Sequence, residues 1–123
     1  YPTRDGKLVA CGALEQKFWE AFTAAIGLPA DLADDARSPS TTLGAVAERI
    51  AQRTADDWRP ILAAADCCAT IVTPLEEAMR DPHFVARGLF AHEVEMSEGS
   101  VLPALPVPIA PAFRGRPGTK RAP

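Results

Sequence analysis

The stretch KLVACGALEQKFWEAFTAAIG, Lys7 to Gly27, decides how the chain folds. Leu8, Val9, Ala10 and Cys11 form a continuous apolar run, which reads as a strand covered on both faces. From Leu14 the period changes. Leu14, Phe18, Phe22 and Ile26 recur every four residues, with Ala21 and Ala25 beside them, so a helix is predicted from about Leu14 to Ile26 with one apolar stripe. Gly27 suits the position just past its end, and Pro29 bars continuation. Upstream, Asp5-Gly6 between Tyr1–Thr3 and Lys7–Gly12 is a hairpin signal, because Gly accepts the positive φ of such turns. Glu15 sits where the strand hands over to the helix. As a first-turn acid it would gain about 0.3–1 kcal/mol from the helix dipole. Presented into a cleft, the same carboxylate can orient a His or exchange a proton itself. The local residues leave both readings open.

Beyond Gly27, residues 29–40 read as a loop rich in Asp, Ser and Pro. A second helix is expected from about Thr42 to Arg53, with Leu43, Val46, Ala47 and Ile50 inward. A third starts near Thr54, with Asp56 and Asp57 favouring the dipole and Trp58, Ile61, Leu62 and Ala65 inward. Pro60 predicts a kink there or a later start, since it removes a donor and crowds the preceding turn. Cys67 to Val72 reads as a buried strand. Thr73-Pro74-Leu75-Glu76 is a helix start with Thr as cap and Pro at the first position. Asp81-Pro82 repeats the device for a short helix ending at Gly88. Leu89–Met96 reads as a further strand.

The tail differs in character. Residues 103–123 hold six prolines, and VLPALPVPIAPAF is apolar yet unsuited to a helix or a central strand. It reads as an extended arm that lies on another surface. The fold class is α+β: a small, mainly antiparallel sheet packed with several short helices, followed by an extended Pro-rich C-terminal arm. Residues 1–100 form the small domain and 101–123 the arm.

Composition narrows the function. The 123 residues suit one domain, and 47% hydrophobic with 24% charged is an ordinary globular balance. A net charge of −3 leaves no electrostatic footprint for nucleic acid. No apolar run reaches the ~18–20 residues of a membrane span, and no signal peptide is visible. Cys11, Cys67 and Cys68 form neither a disulfide framework nor a metal pattern, and His83 and His92 are badly spaced to share a metal. A reducing, cytoplasmic protein without a structural metal is expected. The start at YPTRDGK, without Met and directly in a strand, points to a segment of a longer polypeptide.

Other candidate groups have ordinary readings. Cys11, Cys67 and Cys68 are read as core fillers rather than reactive thiols. His83 reads as a surface helix residue and His92 as a solvent-facing strand residue. Asp56-Asp57 lacks the further oxygen ligands a divalent cation wants. Arg114, Arg116, Lys120 and Arg121 form a short basic run that reads as solvated tail. No P-loop, dinucleotide fingerprint or Ser-His-Asp spacing is present.

Two longer patterns then stand out: Y-x-T-x-D-G-K-x-V-A-x-G-A-L-E-x-K-F-W, and C-A-T-x-V-T-P-x-E-E-A-x-x-D-P-H-x-x-A-R-G-x-F. Together they closely resemble the small domain of the family III CoA-transferases, from Tyr1 to about Phe113. The GALE segment is most similar to the 2-methylacyl-CoA racemase branch. The resemblance implies a two-domain enzyme whose large N-terminal α/β domain, absent from this chain, binds CoA and carries most catalytic groups. It implies that the small domain closes the cleft and that two chains interlock as a homodimer. In the racemases a His and an Asp of the large domain handle the α-proton, and the Glu of the GALE segment pairs with that His. That role falls on Glu15, with Ala13 and Leu14 lining the acyl pocket. The resemblance implies no cofactor, since the acyl-CoA thioester is the substrate. The leading expectation is a racemase-like enzyme working by 1,1-proton transfer. The alternatives are a CoA-transferase acting on carboxylic acids and, for the fragment by itself, an inactive lid or dimerisation module. Racemase-type relatives often carry Pro after this Glu. Here Gln16 keeps a backbone donor and loosens the first turn.

Overall fold

A computed structural model describes residues 1–106 and 108–121. Val107, Ala122 and Pro123, all in the predicted arm, lie outside the described residues. The chain divides into two compact units, Tyr1–Val72 and Thr73–Pro123.

The first unit is a three-helix core bracketed by its first and last strands. Strand β1 (Val9–Cys11) pairs antiparallel with β2 (Ala69–Ile71), in the register Val9↔Ile71, Ala10↔Thr70, Cys11↔Ala69. Between them lie α1 (Gln16–Ala25), a 3₁₀ turn (Ala30–Leu32), α2 (Pro39–Ile50) and α3 (Ala55–Ala65). Phe22, Ile26, Val46, Ile50, Trp58 and Leu62 pack with Val9, Cys67 and Ile71 into one buried cluster. The indole N–H of Trp58 donates to the Ile50 carbonyl at 2.9 Å, so the buried ring leaves no polar atom unpaired.

The expected hairpin forms. Gly6 has φ +78°, Thr3 N–H donates to Lys7 O at 2.8 Å, and Pro2 bridges Leu8. The turn also does something its local sequence did not announce. The Asp5 carboxylate accepts the Thr3 hydroxyl at 2.6 Å and the N–H of Ala55, the first residue of α3, at 3.0 Å. Arg4 N–H donates to Arg53 O at 2.9 Å beside it. Thr54 and Asp57 form a reciprocal capping box at the same helix end. The hairpin is therefore clasped to the start of a helix fifty residues away.

Several expectations are corrected. The apolar runs at 8–11 and 67–72 are covered on one face only. Val9 and Ile71 are buried, whereas Leu8, Ala10, Thr70 and Val72 are exposed, because helices cover a single side of this two-stranded ribbon. Helix α1 starts at Gln16, and Leu14 lies outside it, 97% exposed rather than in the apolar stripe. In α2, which begins at Pro39, Thr42 is buried and Leu43 exposed. Pro60 neither delays α3 nor sits in the core. It lies on the exposed face, where water can satisfy the carbonyl left without a partner. Gly27 behaves as read. At φ +67° it donates to Ala24 O while Leu28 N–H reaches Thr23 O, a Schellman stop.

The second unit carries α4 (Leu75–Ala78), α5 (Pro82–Ala86) and a three-stranded sheet in the order β4-β3-β5, with β3 at His92–Glu95, β4 at Val101–Ala104 and β5 at Thr119–Arg121. Pairing is antiparallel to β4 and parallel to β5. Asp81 caps α5 by accepting His83 N–H at 2.8 Å, with Pro82 at the first position, as its sequence predicted. For α4 the cap shifts by one residue: Pro74, not Thr73, occupies the N-cap position, and no side chain caps it. The first proline of the arm, Pro103, falls on the edge strand β4, where it deprives the ladder of little. The fold is α+β, with its strands split between two small sheets.

Two outcomes test this account. Phe22 is fully buried, so Phe22→Ala should destabilise the first unit by about 3–5 kcal/mol in urea unfolding. Asp5 is held below the ordinary aspartate value of 3.8, chiefly by the Thr3 hydroxyl and then by Ala55 N–H; Asp57 is lowered likewise, chiefly by the Thr54 hydroxyl. Both folded values lie below the unfolded ones. The stability they contribute is complete above the ordinary value and drains as pH falls through the lowered values. The thermal midpoint should therefore drop as pH falls from about 5 through the lowered values, and Asp5→Asn should flatten part of that drop.

Candidate active site

The junction between β1 and α1 is built from backbone. Gly12 N–H donates to Cys68 O at 2.8 Å, extending the β1–β2 register by one pair. Gly12 O then accepts the Leu14 N–H at 2.8 Å, a tight turn that ends the strand. Glu15 follows in extended conformation (φ −89°, ψ 143°) as the N-cap of α1, and its carbonyl accepts the N–H groups of Phe18 and Trp19 at 2.9 and 3.0 Å.

Glu15 is therefore not a first-turn acid, and its side chain does not cap the helix: no helix N–H donates to it. The carboxylate turns outward and meets Lys17 Nζ at 3.3 Å, with both side chains about two-thirds exposed. Lys17 in turn stands over the Phe18 ring at 4.5 Å. A solvent-exposed pair of this kind adds little to stability. The local structural reasons for an acid at this position are thus weak, and the carboxylate stays available to an incoming donor.

Of the residues expected beside it, Ala13 packs half-buried against the core and Leu14 projects into solvent. The three are brought together by adjacency at the junction, and their geometry leaves Leu14 and Glu15 both reachable from outside. Gln16 spends its side chain on Glu20, donating Nε2 to Oε1 at 2.9 Å.

The remaining candidates separate. His83 is exposed on α5, and His92 is half-buried on β3. Asp57 is used by its capping box and Asp56 faces Arg59 at 3.8 Å. The basic run is partly structural: Arg114 Nε donates to Ile109 O at 2.7 Å, and Arg121 meets Glu95 at 3.4 Å. Among the described residues, no three His, Cys, Asp or Glu side chains cluster closely enough to hold a metal ion. No helix there is long and apolar enough to cross a membrane.

Of the cysteines, only Cys67 matches the reading as a core filler fully. It is buried, and burial pushes its thiol up. Cys11 is half-buried, and Cys68 is exposed, which corrects its reading as a core filler. Buried and exposed residues alternate from Cys67 to Ile71, which turns Cys68 outward, and its backbone adopts φ +53°. A residue-type pattern carries no mark of that conformation.

With this geometry in hand, comparison with known proteins defines the class. The family model described as CoA-transferase family III matches residues 1–123, and the chain belongs to that family. It is 30% identical over 122 residues to the alpha-methylacyl-CoA racemase of Homo sapiens, covering 95% of this chain and 32% of that protein. To the alpha-methylacyl-CoA racemase of Mus musculus it is 29% identical, covering 100% of this chain and 32% of the mouse protein. A CaiB/baiF CoA-transferase family protein of Caenorhabditis elegans is 31% identical over 90 residues, covering 73% of this chain and 26% of the nematode protein. The chain thus spans about a third of the length of the curated racemases it matches.

The thiol environments give a direct check. Brief treatment of the folded protein with iodoacetamide should label Cys68 first and leave Cys67 unlabelled until denaturant is added, as read by peptide mass mapping. Early labelling of Cys67 would contradict the packing described.

Proposed function

We propose that residues 1–123 are the small domain of an acyl-CoA enzyme that inverts the α-carbon of a 2-methylacyl-CoA thioester by 1,1-proton transfer. The observation that carries this reading is the Glu15 carboxylate, exposed at the strand–helix junction, capping no helix N–H and paired only with the exposed Lys17. The similarity to two racemases over nearly the whole chain supports the branch.

In this reading the acid and base that face the α-carbon come from a large N-terminal domain, because removal and return of the proton need groups on opposite faces of the substrate. Glu15 accepts a hydrogen bond from one nitrogen of a His supplied by that domain. It holds the imidazole in one tautomer and stabilises the imidazolium formed when the other nitrogen takes the proton. Ala13 and Leu14 flank the acyl group. The exposed apolar side chains of the arm, Leu102, Leu105, Ile109 and Phe113, pack on the large domain or on a second chain. Two such chains form a cytoplasmic homodimer, and residues 1–123 alone are inactive for want of the reacting groups.

A CoA-transferase is the second reading, favoured by the nematode relative's name. Glu15 would then shape a pocket rather than serve a base.

The test uses the complete polypeptide that contains residues 1–123, a 2-methylacyl-CoA and D₂O, without a carboxylate acceptor. Deuterium should enter the α-carbon with loss of stereochemical purity, followed by NMR. Glu15→Gln should slow that exchange by between about tenfold and 10⁴-fold. Unchanged exchange would remove the role of Glu15. Absence of exchange in the parent, with CoA transfer on adding formate or succinate, would move the protein to the transferase reading.

A further inference from the structure

We infer that Cys68 is a positioning residue for Glu15, acting through its backbone: its left-handed conformation aims the carbonyl that holds Gly12 and thereby fixes the junction from which Glu15 projects. This rests on the reading of Glu15 given above.

The turn from α3 into β2 contains two non-glycine residues in left-handed conformation, Asp66 at φ 46° and Cys68 at φ 53°. Such residues are uncommon and persist where the surroundings over-determine them. Between them, Cys67 is 1% exposed and anchored in the core. The Cys68 side chain itself is exposed, so packing of its thiol does not explain the conformation. What the conformation accomplishes is visible one bond away. Cys68 O accepts Gly12 N–H at 2.8 Å, Gly12 O accepts Leu14 N–H at 2.8 Å, and Glu15 follows as N-cap.

The space around Gly12 supports a role for the bond rather than for the glycine's lack of a side chain. A Cβ built on Gly12 would meet Cys68 O at 3.5 Å, an ordinary contact, and Gly12 has no positive φ. Both residues are exposed, while their neighbours Cys11, Ala13, Cys67 and Ala69 lie in or against the buried cluster. Loosening this pair should move the junction, and urea unfolding of each variant reads any accompanying loss of core stability. A catalytic group displaced by about 1 Å can lose on the order of 10²-fold in rate.

The experiment separates backbone from thiol by substitution in the complete polypeptide. Cys68→Gly and Cys68→Asn discard the thiol but tolerate the left-handed conformation. Cys68→Val opposes it. We expect the Gly and Asn variants to keep α-proton exchange within about twofold of the parent. The Val variant should lose on the order of 10-fold to 10²-fold in kcat with KM little changed. In a Glu15→Gln background the Val substitution should add almost nothing, since the group it misplaces is already disabled. Loss of activity in Gly and Asn as well would overturn the inference in favour of the thiol, and full activity in Val would overturn it outright. If Glu15→Gln alone has no effect, the reading of Glu15 fails; if it slows exchange while Val does not, only the positioning role fails. Should the Val variant not fold, amide exchange in the parent still decides. Gly12 N–H must be protected although the residue is exposed, and exchange at the unprotected rate would sink the idea.

Discussion

The antiparallel pairing of Val9–Cys11 with Ala69–Ile71 is the constraint on which the first unit depends. A ribbon of two three-residue strands is not stable by itself. It forms because Val9 and Ile71 complete the floor of a core made by Phe22, Val46, Ile50, Trp58 and Leu62. In return, it joins the ends of a sixty-residue segment and closes the helices between them. The Asp5 clasp works in the same direction, tying the hairpin that precedes β1 to the first N–H of α3. Distant parts of the chain are thus fastened by strand pairing, by the backbone bond from Arg4 to Arg53 and by a charge-assisted hydrogen bond.

The same pairing sets the junction from which Glu15 projects. Register places Gly12 opposite Cys68, and from Gly12 the chain turns within three residues into α1. Glu15 is delivered at that turn with its backbone spent on the helix and its carboxylate spent on nothing stronger than an exposed lysine. A scaffold built on strand register and a helix start holds a side chain more closely than a free loop does, which is what an orienting carboxylate requires.

One-sided cover is the other consequence. Helices pack on a single face of the ribbon, so Leu8 and Val72 stay exposed, and Leu14 projects from the junction nearby in sequence. The arm adds Leu105, Ile109 and Phe113 in the second unit.

Local chemistry made much of this legible in advance. Asp5-Gly6 marks its turn because the positive φ needs Gly; Gly27 stops α1 and Asp81-Pro82 starts α5 because caps act within a few residues. The period of Phe22 and Ile26 identifies the inner face of α1, and the GALE pattern singles out Glu15. What needed the tertiary structure were facts set by partners far along the chain. Which face of an apolar strand is covered depends on where the helices land, so Leu8 and Cys68 could not be seen to be exposed. The second task of Asp5 depends on a helix fifty residues away. The left-handed conformations of Asp66, the C-cap of α3, and of Cys68 are backbone states that no spacing of residue types encodes. Sequence by itself determined most of the elements, several of their caps and the family. Only packing decided which groups those elements turn outward, because exposure is a property of the assembled surface and not of the segment.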